Sequence, residues 1–157
     1  MERAMQTQHV IRLHPNAKDA DLQILISCID ECAACAQACT ACADACLSEQ
    51  AMGHLRQCVR LNLDCADVCR MTEDICSRRT GSNAETLKGA LLLCATACEA
   101  CREECLRHAD AHEHCRACAE SCRTCADACR DALDFVGGGD GISGTGLQAE
   151  FPWMRRH

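Results

Sequence analysis

The chain has 157 residues, enough for one compact domain built on a single core. Nineteen are Cys and 25 are Ala, so most of the 48% hydrophobic content is small, and Val, Ile, Leu and Phe together number only 26. With two Phe, one Trp, no Tyr and a net charge of −7, neither base stacking nor any other nucleic-acid contact is expected.

Residues 1–15 form an N-terminal segment with charged side chains and two His, and carry no apolar run of signal-peptide length. No stretch reads as the roughly 18 apolar residues of a membrane span, so no membrane partner is expected. A cytoplasmic location follows as the expectation, in a reducing pool where dense thiols signal metal or catalysis. Nineteen is also odd, which a fully paired disulfide framework cannot use.

The first helix is predicted from Asn16, with Asp19 in capping spacing, to about Ser48. Gly53 breaks it, and a second helix runs from about His54 to Arg79. Thr80 to Asn83 is a turn, with Ser82 and Glu85 in capping-box spacing ahead of a third helix that reaches about Ala109. Asp110 and Glu113 repeat the pattern, and the fourth helix ends before Gly137. Residues 16–136 therefore predict an all-α domain, an antiparallel up-down-up-down four-helix bundle with a Cys-lined core. Residues 137–157 are a Gly-rich C-terminal tail carrying Phe151 and Trp153.

The cysteine gaps carry most of the information. Cys28, Cys32, Cys35, Cys39, Cys42 and Cys46 on the first helix are spaced 4, 3, 4, 3 and 4. Cys58, Cys65, Cys69 and Cys76 on the second keep the same alternation, with Asn62 and Thr72 in the two unoccupied slots. Cys94, Cys98, Cys101 and Cys105 follow on the third, and Cys115, Cys118, Cys122, Cys125 and Cys129 on the fourth. All nineteen occupy two of seven helix positions, the inward seam of a bundle helix, an arrangement with a chance frequency of about 10⁻⁸. Ala dominates the flanks and lets backbones approach. Glu103, Glu104, Arg107, Arg123, Asp127 and Arg130 are assigned to the outside, and Leu25, Leu87 and Leu91 extend the stripes into an apolar cap at one end.

A column of sulfur can be read in several ways. As small hydrophobes, nineteen Cys would be replaceable by Val or Ala without oxidation risk. As a redox centre, one Cys-x-x-Cys pair at a helix N-terminus would suffice, whereas five such pairs lie mostly inside helices. Iron–sulfur clusters need four convergent thiolates, usually on loops. Metal binding remains. Seam neighbours have Cβ atoms about 5–6 Å apart, which lets two sulfurs flank one ion at about 2.3 Å each. Soft Cu(I) accepts that two-coordinate geometry and Zn(II) does not. One Cu(I) per thiolate also replaces one proton, so the core stays neutral, whereas tetrahedral zinc sites would each be doubly negative. Multiple Cu(I) ions per chain, about one per Cys, are therefore expected. A Zn or Cd metallothionein-like buffer and a thiol redox protein are the alternatives.

In an up-down bundle the first and third turns lie at the same end. Met52 and His54 come from one turn and His108, His112 and His114 from the other, so the copper entrance is expected there, with weaker ligands passing Cu(I) to the thiolates. Met71, His9, His14 and His157 read as structural or surface residues.

These features together resemble the cytosolic bacterial copper storage proteins: the repeated Cys-x-x-x-Cys-x-x-Cys seam on four helices, and His108, His112 and His114 ahead of Cys115. The resemblance covers about residues 16–135. It implies a homotetramer of four-helix bundles, all nineteen seam cysteines as Cu(I) ligands and His residues at the mouth. Val59, Leu63, Leu92 and Leu106 are apolar residues off the seam that such an assembly could use. The expected role is a non-enzymatic, reversible copper store, with copper ions and a copper chaperone or recipient protein as partners.

Overall fold

A side chain every three or four positions stays on one face of an α-helix, so each cysteine stripe specifies one long helix and the face it buries. The structure, a computed structural model, describes residues 2–17, 19–81 and 83–137. Its helices are α1 (Glu2–Arg12), α2 (Asp19–Leu47), α3 (Arg56–Ser77), α4 (Ala84–His108) and α5 (Glu113–Val136), with a 3₁₀ turn at Met52–Leu55 before α3. Helices α2 to α5 form the expected four-helix bundle, in which α2 packs on α3 and α5, and α4 on α3 and α5. Among the described residues there is no strand.

Small side chains set the spacing of the bundle. Ala36, Ala43, Ala66, Ala95, Ala119, Ala126 and Ala132 are buried beside the thiols. Ordinary apolar packing closes one end, where Leu22, Leu25, Ile26 and Ile29 of α2 meet Leu87 and Leu91 of α4. Each such side chain contributes about 1.5–3 kcal/mol on full burial. The sequence assigns no element to residues 1–15, yet α1 forms there and docks through buried Ile11. Polar contacts fix its pose, from Gln8 to Asp30 and from Arg12 to Gln23.

The helix starts differ from their predicted caps. Asn16 lies three residues before the first residue of α2; its amide N–H donates to His14 Nδ1 at 3.1 Å and its Nδ2 to the Arg79 carbonyl at 3.4 Å, tying the N-terminal stretch to the end of α3. The cap position of α4 is Asn83 without a side-chain bond, and Ser82 lies outside the described residues. Asp110 does not cap α5, because the chain from His108 to His112 closes its own turn, with the His112 N–H on the His108 carbonyl at 2.9 Å. Asp110 belongs to that turn and pairs with Arg116 at 3.3 Å.

Three further expectations change or lie out of reach. Glu104 is not on the outside but is only 7% exposed, whereas Glu103, Arg107, Arg123, Asp127 and Arg130 are exposed as expected. By length and composition Leu22–Leu47 of α2 is apolar enough to cross a membrane, contrary to the expectation from the sequence. Its apolarity comes from Cys and Ala together with the Leu and Ile residues at its start, and its buried face packs inside the bundle. The tail beyond Gly137, with Phe151 and Trp153, lies outside the described residues.

Candidate metal centre

Nineteen free thiols converge on the bundle axis, none more than 3% exposed. Neighbours on one helix stand close, with Cys35 and Cys39 sulfurs 3.8 Å apart and Cys65 and Cys69 3.9 Å apart. Sulfurs of different helices are at least as close: 3.7 Å for Cys28 and Cys129, Cys39 and Cys122, Cys58 and Cys105, and Cys69 and Cys94. The flanking alanines allow this, because no bulky side chain holds the backbones apart. The result is a connected network rather than separate pairs. Cys32, Cys94, Cys125 and Cys129 form one group of four whose ligand atoms lie within 4.8 Å of one another, and Cys39, Cys101, Cys118 and Cys122 form another. A soft cation finds thiolate partners along a helix and between helices alike.

The two unoccupied seam slots hold fully buried polar residues. Asn62 sits among four cysteines. Its Nδ2 donates to the Cys58 carbonyl at 2.8 Å and approaches the Cys58 and Cys105 sulfurs at 3.3 and 3.6 Å. Its Oδ1 accepts from Cys118 at 2.9 Å and Cys101 at 3.4 Å. Thr72 turns its hydroxyl to the Val68 carbonyl at 2.8 Å, with the Ala90 carbonyl of α4 at 3.3 Å. Asn62 is thus satisfied largely by the thiols it interrupts and Thr72 by backbone carbonyls.

At the end opposite the leucine cap, the expected histidines meet. The ring centroids of His54 lie 5.8 Å from His108 and 6.3 Å from His112, and those of His112 and His114 are 5.4 Å apart. His114 reaches the sulfurs, its Nδ1 lying 3.5 Å from Cys42 and 3.6 Å from Cys115. With Cys42, Cys46 and Cys115 it forms a mixed sulfur and nitrogen group. Met52 is half-buried on the 3₁₀ turn beside His54, whose own side chain is exposed.

Two carboxylates missing from the predicted site organise this mouth. Glu104 accepts from His108 Nε2 at 3.0 Å, and Glu49 accepts from His112 Nδ1 at 3.1 Å and His114 Nε2 at 3.0 Å. An ionised carboxylate only accepts, so each bond places the ring proton on that nitrogen and the lone pair on the other. For His114 the free lone pair is the Nδ1 that faces sulfur. Glu104 was legible as the residue four before His108, a spacing at which helical side chains meet. Glu49 belongs to the same turn as Met52 and His54, but only the fold brings it to α5.

Electrostatics follow burial. Loss of hydration pushes the Cys46 thiol up to about 11 from its ordinary 9.0 and raises Cys115 as well. Cys76, near the closed end, is raised by its hydrogen bond with Cys28 and by burial. The hydrogen bond from His114 holds the Glu49 carboxyl below its ordinary value. At Cys46, Cys76 and Cys115 the neutral thiol is therefore favoured.

Comparison with known proteins agrees with this geometry. Residues 21–134 match the copper storage protein family. The chain is 49% identical to a copper storage protein from Streptomyces lividans, solved with 10 copper equivalents, at a TM-score of 0.78 over 81% of this chain and 97% of that one. That protein is a cytosolic copper storage protein. Copper-free copper storage protein 3 from Bacillus subtilis is 38% identical, with a TM-score of 0.59 over 68% of this chain and 96% of that one. An uncharacterized cysteine-rich protein of Bacillus subtilis, YhjQ, is 40% identical over 60% of this chain and 82% of its own length. With a buried thiol column, a histidine mouth and a family match that spans all four bundle helices, this chain belongs to the copper storage protein family.

Proposed function

We propose that this chain takes up Cu(I) at the histidine end, holds about one ion per thiolate along the column and releases it on demand. The observation that carries this is the connectivity of the sulfurs: 3.7–4.0 Å contacts run along α2 and α3 and link sulfurs of all four bundle helices, giving many places for a soft ion. Charge balance supports the capacity. Each Cu(I) that displaces a thiol proton leaves the core neutral, whereas four-thiolate Zn(II) sites accumulate two negative charges each in a region closed to water. All nineteen cysteines serve as ligands, with His114, His108 and His112 as mouth ligands and His54 and Met52 as outer ones.

The chain works without a catalytic step, in the cytosol, as a homotetramer whose contacts draw on Leu63 and Leu106, exposed on the outside of α3 and α4. A copper chaperone or recipient protein exchanges ions with it. Anaerobic titration of the reduced protein with Cu(I), against a chromogenic chelator, tests the central claim. Tight uptake of close to nineteen Cu(I) per chain, with far fewer Zn(II), is the expected result. Saturation at four or five ions of either metal would overturn it in favour of a zinc-type buffer.

A further inference from the structure

The mouth carries a second donor set, on the side of the imidazoles that faces away from sulfur. Glu49 Oε1 stands 3.1 Å from His112 Nδ1 and 3.0 Å from His114 Nε2. Donors held by one tetrahedral ion at about 2.0–2.1 Å are about 3.3 Å apart, so these separations need to open by only about 0.3 Å. The three atoms come from two chain segments, the turn after α2 and the start of α5, each anchored by its helix. Their side chains are 15%, 26% and 35% exposed for His112, His114 and Glu49, which leaves water access to the remaining coordination positions.

We propose that Glu49, His112 and His114 form a site for one borderline divalent cation of the Zn(II) or Co(II) kind, separate from the thiol column. Two imidazoles and a carboxylate with open positions suit such ions, whereas Cu(I) favours the softer sulfurs beside them. The site also avoids the double negative charge that a buried four-thiolate site would carry. Proton balance is simple. When the ion takes the Nε2 lone pair of His114, the ring proton moves to Nδ1, and His112 exchanges tautomer likewise; no proton is lost and nothing is oxidised. His114 then presents an N–H instead of a lone pair to Cys42 and Cys115, so a bound divalent ion withholds His114 from copper. Only this last consequence rests on the copper-storage function; the site itself does not.

Co(II) is the probe, added anaerobically to the reduced, copper-free protein at neutral pH and followed by absorption. The expected first equivalent shows weak visible bands without intense near-ultraviolet thiolate-to-cobalt charge transfer. Glu49→Ala and His112→Ala each weaken that equivalent at least tenfold, while Glu103→Ala, on the outside of α4, keeps it; helical circular dichroism verifies the fold of each. One equivalent of Zn(II) slows the initial phase of Cu(I) uptake in the wild type and has no such effect in Glu49→Ala. A first Co(II) equivalent with thiolate charge transfer, or one that persists in both Glu49→Ala and His112→Ala, would overturn the proposal. The Cu(I) capacity of the same wild-type preparation is measured separately, so failure of copper storage and failure of this site are told apart.

Discussion

Asn62 Oδ1 accepts a hydrogen bond from the Cys118 thiol at 2.9 Å, within the column of sulfur. The amide satisfies both of its ends there, with its Nδ2 on the Cys58 carbonyl. Asn62→Ala should leave the Cys58 carbonyl and neighbouring thiols without that partner and cost the copper-free protein about 1–3 kcal/mol, measured by chemical denaturation. Asn62→Cys fills the vacant seam slot with a twentieth thiol and should raise Cu(I) capacity by about one ion. An unchanged capacity would show that position 62 lies outside the metal column.

Glu104 orients His108 through a 3.0 Å bond while almost out of contact with water. Glu104→Ala frees the ring and should slow the first phase of Cu(I) uptake severalfold while the final capacity stays close to that of the wild type. Outer carboxylates of this kind contribute about 10–100-fold to metal sites elsewhere. Stopped-flow mixing under anaerobic conditions separates rate from capacity, and Glu104→Gln, which retains an acceptor oxygen, should recover part of the rate.

Proton release should accompany loading. Burial keeps Cys46 and Cys115 protonated well above neutrality, so each Cu(I) that binds to one of these two thiols at pH 7 should liberate about one proton, readable in weakly buffered solution with an indicator dye. The same shift sets an alkaline limit for the copper-free protein. Between the ordinary thiol value of 9.0 and the Cys46 value of about 11, the unfolded chain gives up this proton and the folded one retains it. Stability is therefore intact below about pH 9 and declines as pH rises to about 11. Thermal melts across pH 8 to 11 should show the decline, and copper loading should suppress it.

No single cysteine should be privileged. Cys28→Ser near the leucine-capped end and Cys115→Ser near the mouth should each lower capacity by about one ion in the chelator titration. Collapse of all binding on loss of one residue would instead identify a discrete centre.

The leucine cap should hold the empty bundle together, since the thiol column contributes little bulk. Leu91 is fully buried there, and Leu91→Ala should cost about 2–5 kcal/mol of stability in the copper-free protein. Equilibrium unfolding in urea measures it, and a loss below 1 kcal/mol would show that the cap is dispensable.

The four bundle helices, their buried faces and the location of the histidines were legible in the order of residues alone. Those features follow from periodicity: a Cys every three or four residues can face one axis only in a helix, and the parity of the turns assigns His54, His108, His112 and His114 to one end. Local capping signals were weaker. Asn16 and Asp110 found partners in Arg79 and Arg116 once the ends of neighbouring elements were nearby. Only the tertiary structure brought Glu49 to His112 and His114, since residues 63 and 65 positions apart leave no trace in local spacing. It also decided that sulfurs of different helices approach as closely as those on one helix. That distance depends on how far flanking alanines let the backbones close, and spacing along a single helix contains no information about it.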